Sequence, residues 1–227
     1  MLSESAFFYT FITLAFYEFC VIIQKKIRRD WFNPLLMTIV FTVIMILLSG
    51  TKYEVYEEST QLISYFLTPA TVCLAIPLYE KLSELKKNAV AILIGIFSGV
   101  VTSALCVLLV VGIFKLDSSI LASFLPKSVT TAIGIGISEE LGGIASLTAI
   151  SIIITGIVGN LLAEGVCRLF KITDPVAVGA AIGTSAHAVG TSKALQLGKT
   201  QGAISGLAIA VSGLMTVITA PIFMNFL

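Results

Sequence analysis

Long runs of apolar residues recur along this sequence, and they restrict the fold more than any other feature. They cover residues 6–23, 34–49, 89–114, 143–163 and 202–226. A helix needs roughly 20 apolar residues to cross the hydrocarbon core of a bilayer, and each run is close to that length. Hydrophobic residues make up 57% of the chain and charged residues 12%, which is more apolar surface than a water-soluble fold of this size can bury. The sequence therefore predicts an all-α, polytopic integral membrane protein.

The remaining composition argues against several other classes. The formal net charge is +1 and the charges are spread over loops, so no basic patch indicates nucleic-acid binding. The four cysteines are widely spaced, and one histidine cannot build a typical zinc centre, so we expect no metal and no cofactor. Ser185 and His187 are two positions apart, which points them to different sides of a helix, and the sequence has no nucleophile elbow. We therefore do not expect an enzyme.

Three further apolar stretches, residues 62–79, 120–138 and 176–193, contain residues that interrupt a helix. Proline removes a backbone donor, and glycine loosens the helix. Lipid cannot satisfy the freed N–H and C=O groups, so such breaks survive at membrane depth only where they are buried in protein or line a watery cavity. The breaks therefore predict a polar site inside the membrane. The predicted helix-break residues are Pro69, Pro77, Pro126, Gly183 and Gly190.

The interrupted stretches recur about 56 residues apart, and each is followed by an intact apolar helix, which indicates an internal repeat. The alternative is that the breaks merely fall at regular helix-length intervals. We predict a single transmembrane domain over residues 1–227. Its N-terminal helices occupy residues 1–59, and its core, with three broken-helix units, occupies residues 60–227.

Basic residues predict the orientation of the chain. Those within residues 25–29 mark a cytoplasmic loop after the first apolar run and leave the N-terminus outside. That run is expected to be a retained helix, because no basic region precedes it and no small-residue cleavage site follows. For residues 120–140 and 176–200 two topologies stay open: simple crossings, or hairpins that re-enter from opposite faces. Re-entry is favoured because it brings more of the later basic residues to the cytoplasmic side, and it gives a transporter-like, inverted-repeat architecture.

A first polar constellation is the segment Pro126-Lys127-Ser128-Val129-Thr130-Thr131. A half-helix that starts there exposes backbone N–H groups and the positive end of the helix dipole, and Lys127 and the hydroxyl groups add donors, so the segment is a candidate anion site. The alternative is an ordinary membrane helix whose Lys127 extends to the interface. Glu139, in the acidic turn that follows, is a candidate for proton coupling, or else a solvated or helix-capping acid.

A second constellation runs from Gly183 to Thr191 and holds the only histidine, His187, among small and hydroxylated residues. Ionisable groups within membrane segments are costly and commonly mark pathways, proton relays or ligand contacts. His187 is therefore a candidate to contact a carboxylate or to carry a proton, since its unperturbed pKa lies near the physiological range. The alternative is a structural histidine that ties two helices together.

These motifs closely resemble the LrgB/CidB family of bacterial membrane proteins, from about Pro34 to the C-terminus. The resemblance rests on residues 68–72 and 75–79, on the segment 126–131 and on the segment 183–191. It implies an antiholin-like regulator of murein hydrolase export, or a transporter of a small monocarboxylate such as pyruvate or glycolate. It also implies a holin-like membrane partner of the LrgA/CidA type. One departure is Ala132, where proline is expected in many relatives.

We therefore predict a multi-pass carrier in the bacterial cytoplasmic membrane that moves a small monocarboxylate, forms homo-oligomers and works with the holin-like partner. The alternative is a regulator of autolysis that acts by assembling with a holin-like pore protein. His187 and Glu139 are the candidates for proton coupling. The predicted substrate-binding residues are Lys127, Ser128, Thr130, Thr131, Thr184, Ser185, His187 and Thr191.

Overall fold

The computed structural model describes residues 7–27, 34–66, 69, 79 and 82–226, and in these ranges the chain is helical without strands. This confirms the predicted all-α class. The helices of the described residues are α1 (Phe8–Ile27), α2 (Pro34–Ser49), α3 (Tyr53–Tyr65), α4 (Leu82–Phe114), α5 (Ser118–Phe124), α6 (Thr131–Glu140), α7 (Ala145–Leu169), α8 (Pro175–Leu197) and α9 (Lys199–Met224).

Four helices of the described chain are long and apolar enough to cross a membrane, and α2 is a shorter apolar helix. These spans are Phe8–Ile27, Lys86–Phe114, Ala145–Leu169 and Lys199–Met224. Each coincides with a predicted apolar run, and the predicted polytopic membrane protein is confirmed. The helix α7 continues to Leu169, beyond the predicted run that ends at residue 163, and Glu164 and Arg168 pair along this extension at positions four apart.

The chain forms two compact units, Met1–Cys73 and Leu74–Leu227. In the first unit α1 packs against α2 and α3. The hydroxyl of Thr10 donates to the carbonyl of Ser59, and the Thr13 and Tyr56 hydroxyls lie 3.0 Å apart. These bonds satisfy polar groups among apolar side chains and fix α1 to α3. The single domain over residues 1–227 stays a prediction.

In the second unit α5 and α6 form a hairpin, which we call hairpin 1. Its tip is the non-helical segment 125–130, and it contains the fully buried Pro126. After α6 the chain returns to the level of α5, because the backbone N–H of Ile144 donates to the hydroxyl of Ser123 at 2.8 Å. The Thr148 hydroxyl, one turn further along α7, donates to Ser138 of α6 at 2.7 Å.

The helix α8 is also folded back on itself, and we call it hairpin 2, with arms 175–186 and 188–197. His187 at the tip has a non-helical backbone with φ 41° and ψ −137°. A Cβ on Gly190 would lie 3.2 Å from the Ile182 carbonyl oxygen. Residues eight apart in a straight helix are separated by about 12 Å along the axis, so the two arms run antiparallel.

This geometry corrects the predicted positions of the second break. Gly183 and Gly190 were predicted to unwind the helix, but both are helical and the break falls at His187 between them. The glycines serve close packing instead, since a Cβ on Gly183 would lie 2.8 Å from the Cβ of Ala208 in α9. Pro77 lies outside the described residues, together with most of the first interrupted stretch, and Pro69 is described only as a single exposed residue.

The two hairpins approach each other from opposite ends of α4. Val111 near the C-terminal end of α4 shares a buried cluster with Leu121 and Ile137 of hairpin 1. Ile92, five turns earlier, shares another with Val176 and Ala180 of hairpin 2. The tips therefore meet beside the middle of α4.

Candidate functional site

A cavity of about 940 Å³ lies where the hairpin tips meet, within the second unit. Its walls come from α4, the tip of hairpin 1, α7 and the first arm of hairpin 2. Most of the lining is small or apolar, which leaves room for a ligand beside the helix backbones. The polar lining residues are Asn88, Ser103, Lys127, Ser128, Thr155, Asp174, Thr184 and Ser185.

Lys127 supplies the positive charge of this cavity. The break at Pro126 turns the chain so that the Lys127 ammonium donates to the hydroxyl of Ser103 on α4 at 2.8 Å, with the Ser128 hydroxyl 3.4 Å away. The Ser103 and Ser128 hydroxyls are 3.2 Å apart. An ammonium has three N–H donors, so these contacts leave donor capacity for a ligand.

Ion pairing does not neutralise Lys127 among the described residues. The described ion pairs of this unit lie elsewhere, where Glu164 contacts Arg168 and Lys193. A half-buried ammonium without a carboxylate partner is costly and attracts an anion from outside the chain. The cavity is therefore suited to a negatively charged ligand.

Thr184 faces the cavity from hairpin 2 and is 6% exposed. Its hydroxyl has no hydrogen-bond partner within the described part of the chain. A buried hydroxyl without a partner costs about 1–3 kcal/mol, so it is a candidate to meet a ligand. Gly99 allows this placement, because a Cβ there would lie 2.8 Å from Cγ2 of Thr184. The neighbouring Ser185 also lines the cavity, with its hydroxyl donating to the Ala181 carbonyl at 2.7 Å.

His187 and Thr191 lie outside the cavity lining and hold hairpin 2 in place. The buried His187 ring donates from Nε2 to the Ile152 carbonyl of α7 at 3.0 Å. Gly156 provides the space for this ring, because a Cβ there would lie 2.7 Å from Cε1 of His187. The Thr191 hydroxyl donates to the His187 carbonyl at 2.9 Å and lies 2.7 Å from the Ser205 hydroxyl. This arrangement matches the structural alternative for His187, and proton coupling stays a prediction.

Three other predicted site residues also lie outside the cavity lining. Thr130 is the N-cap of α6, and its side chain makes no capping hydrogen bond. Thr131 is exposed in the first turn of α6, and Glu139 is exposed near its end. The structure thus brings together Lys127, Ser128, Thr184 and Ser185 and leaves the rest of the predicted set around them.

Sequence reasoning missed the α4 wall of the cavity and the lining residue Asp174. Ser103 contacts Lys127 directly, and its only signal is a hydroxyl within an apolar run that also carries the small residues Gly95 and Gly99. Asp174 lies in the lining as the N-cap of α8, and it accepts from the backbone N–H groups of residues 176 and 177 at 3.0 and 2.9 Å. Its carboxylate therefore already occupies that helix N-terminus.

Comparison with known proteins places the chain by its sequence. No solved structure matches it. The sequence profile of the LrgB-like family matches residues 13–226, which is nearly the whole chain and includes both hairpins. The chain therefore belongs to the LrgB-like family.

Proposed function

We propose that this protein is a secondary carrier for a small monocarboxylate such as pyruvate or glycolate. The observation that carries the proposal is the Lys127 ammonium, without a carboxylate partner in the described residues and directed at hydroxyl groups in a cavity between two helical breaks. One ammonium balances one carboxylate, and a charge-assisted hydrogen bond to it is roughly twice as strong as a neutral one. The keto or hydroxyl group of such an acid finds partners in the Ser128 and Thr184 hydroxyls.

The arrangement of the hairpins supports alternating access. Two broken elements meet beside the middle of α4, and many secondary carriers bind their substrate at such breaks near the bilayer midplane. In our proposal each hairpin re-enters the membrane from its own face, and the α4–hairpin 1 and α7–hairpin 2 units form an inverted repeat. Substrate then reaches Lys127 from one face at a time.

The cellular setting belongs to the same proposal. The carrier lies in the bacterial cytoplasmic membrane with its N-terminus outside, assembles as a homo-oligomer, and works with a holin-like partner of the LrgA/CidA type. It performs no covalent chemistry on its substrate. The competing proposal is an antiholin-like regulator that controls murein hydrolase export by assembling with that partner.

Uptake of labelled pyruvate into proteoliposomes, with and without the holin-like partner, separates the two proposals. We expect saturable uptake that is lost in Lys127→Met, because the methionine side chain keeps the length but removes the charge. Lys199→Met is the matched control, since Lys199 is exposed at the start of α9 and lies outside the cavity lining. Unselective leakage of larger solutes, unchanged in Lys127→Met, contradicts the carrier and favours the regulator.

A further inference from the structure

We call the cavity that holds Lys127 the anion cavity. We propose that a small monovalent cation binds next to it, in a second cavity lined by hydroxyl groups, and that cation binding is coupled to substrate binding. This inference rests on the proposed carrier function. The second cavity has a volume of about 10 Å³ and lies between the hairpin tips, α4 and α9. Its polar lining residues are Ser103, Ser128, Thr184, Ser212, Thr216 and Thr219.

The α9 hydroxyls present oxygen lone pairs to this cavity. Ser212, Thr216 and Thr219 follow the i, i+4, i+7 spacing that places side chains on one helix face, and all three are buried. Each hydroxyl donates a hydrogen bond to a carbonyl of its own helix, with a length of 3.2 Å for Ser212, 2.7 Å for Thr216 and 2.9 Å for Thr219. A hydroxyl whose proton is already donated can only accept, so this face suits a cation and not an anion.

Thr184 supplies an independent observation. It reaches the second cavity from hairpin 2, is 6% exposed, and its hydroxyl lacks a hydrogen-bond partner among the described residues. The helical stripe on α9 spans about 10 Å at 1.5 Å per residue, so one ion contacts only the part of it that faces Thr184 and Ser128. The oxygen ligands of such an ion come from both hairpin tips and from α9.

Charge and size decide which cation fits. The described lining of the second cavity contains no carboxylate, whereas Ca²⁺ and Mg²⁺ are bound in proteins through carboxylate oxygens. The volume equals that of about one water-sized sphere, which excludes hydrated ions and organic cations. A bare monovalent ion with neutral oxygen donors remains, and sodium is the probe for it.

Lys127 couples the two cavities. Ser103 and Ser128 line both of them, and the Lys127 ammonium donates to Ser103 at 2.8 Å. A cation in the second cavity therefore lies close to a like charge, which raises its energy unless an anion occupies the first cavity. By linkage the anion and the cation raise each other's affinity by the same factor. The expected consequence is symport of the two.

The test uses the purified full-length protein, with and without the holin-like partner, in two assays. Pyruvate uptake into proteoliposomes is compared in sodium, potassium and choline at equal ionic strength, and thermal unfolding in detergent is compared in the same salts. We expect sodium to raise uptake by about fivefold or more and to raise the melting temperature. Both effects should disappear in Ser212→Ala and Thr216→Val and persist in Thr216→Ser, which keeps the oxygen.

Ser98→Ala is the matched control for Ser212→Ala. Both serines donate to the carbonyl three residues earlier in an apolar helix, but Ser98 is exposed and lies outside both cavities. Ser98→Ala should keep both sodium effects. Size-exclusion elution at the wild-type volume shows that each variant is folded.

The outcomes separate this inference from the proposed function. Saturable uptake that is equal in all three salts, without a sodium-specific rise in melting temperature, means that the second cavity holds an ordered water only, and the cation inference is overturned while the carrier stands. A sodium effect retained in Ser212→Ala and Thr216→Val also overturns it. If uptake is absent in every salt, both with and without the holin-like partner, the carrier proposal fails; the melting shift and its loss in Ser212→Ala then decide the cation site alone.

Discussion

Single side chains at the meeting point of the hairpins differ in whether their hydrogen-bonding capacity is already used. The hydroxyls of Thr191 and Ser205 bind each other at 2.7 Å, and the ring of His187 binds the Ile152 carbonyl at 3.0 Å. The hydroxyl of Thr184 and part of the Lys127 ammonium have donor or acceptor capacity left in the described structure. Saturated groups hold the fold together, and unsaturated groups are the ones that a ligand can bind.

This distinction predicts opposite effects for two threonine-to-valine substitutions. Thr184→Val removes a buried hydroxyl without a partner, so the free energy of unfolding should stay unchanged or rise by up to about 1 kcal/mol. Pyruvate uptake in proteoliposomes should nevertheless fall, because the hydroxyl is lost from both cavities. Thr148→Val is the control; it removes the hydrogen bond to Ser138 and should lower the free energy of unfolding by roughly 1 kcal/mol.

Thermal unfolding in detergent measures both variants under one condition. A clear drop in stability for Thr184→Val, as large as that for Thr148→Val, contradicts the view that its hydroxyl is kept for a ligand. Full uptake in Thr184→Val contradicts its place in the site.

Among the helical elements, hairpins 1 and 2 lead to a prediction of membrane topology. After α6 the chain returns beside Ser123 of α5, and the two arms of α8 pack antiparallel. Single cysteines at Ser118 and Glu140, in a background without the native cysteines, should therefore be labelled from one side of the membrane by an impermeant maleimide. Cysteines at Thr173 and Gln196 should be labelled together from the opposite side. All four positions are exposed.

The competing topology gives a different pattern in the same experiment. If residues 120–140 and 176–200 simply cross the bilayer, the two cysteines of each pair are labelled from different sides. Cysteines on either side of α7, at Glu140 and Thr173, serve as an internal control, because a helix of 25 residues that crosses the membrane separates them.

At this scale the sequence was informative about apolar runs and about proline, and much less so about glycine. The break at Pro126 was predictable because proline cannot continue the hydrogen-bond pattern of a helix. The break at His187 was misplaced onto Gly183 and Gly190, because one sequence does not distinguish a glycine that unwinds a helix from one that lets two helices touch. Ser103 was missed for a related reason: the partner of a hydroxyl in an apolar run depends on which element folds against it.

Within the second unit as a whole, some helices pack more tightly against each other than others do. Hairpin 2 and α9 touch closely, since a Cβ on Gly179 would lie 2.8 Å from the Cβ of Ile204 and a Cβ on Gly183 would meet α9 in the same way. Contacts of this kind leave no room for sliding, because closely packed interiors respond to even one added methylene. Hairpin 1 meets α4 near the site through polar contacts of Ser103 with Lys127 and Ser128.

This difference predicts that hairpin 2 and α9 move as one body in the proposed carrier. A disulfide between Thr191→Cys and Ser205→Cys, whose native hydroxyls lie 2.7 Å apart, joins hairpin 2 to α9 outside the lining of the cavity that holds Lys127. Oxidation should therefore leave pyruvate uptake at the level of the same variant kept reduced. A disulfide between Ser103→Cys and Ser128→Cys joins α4 to the tip of hairpin 1. Oxidation of this pair should lower uptake, and reduction should return uptake to the level of the same variant kept reduced. Loss of uptake on oxidising the 191–205 pair, recovered by reductant, contradicts the rigid pairing and makes hairpin 2 the element that moves against α9.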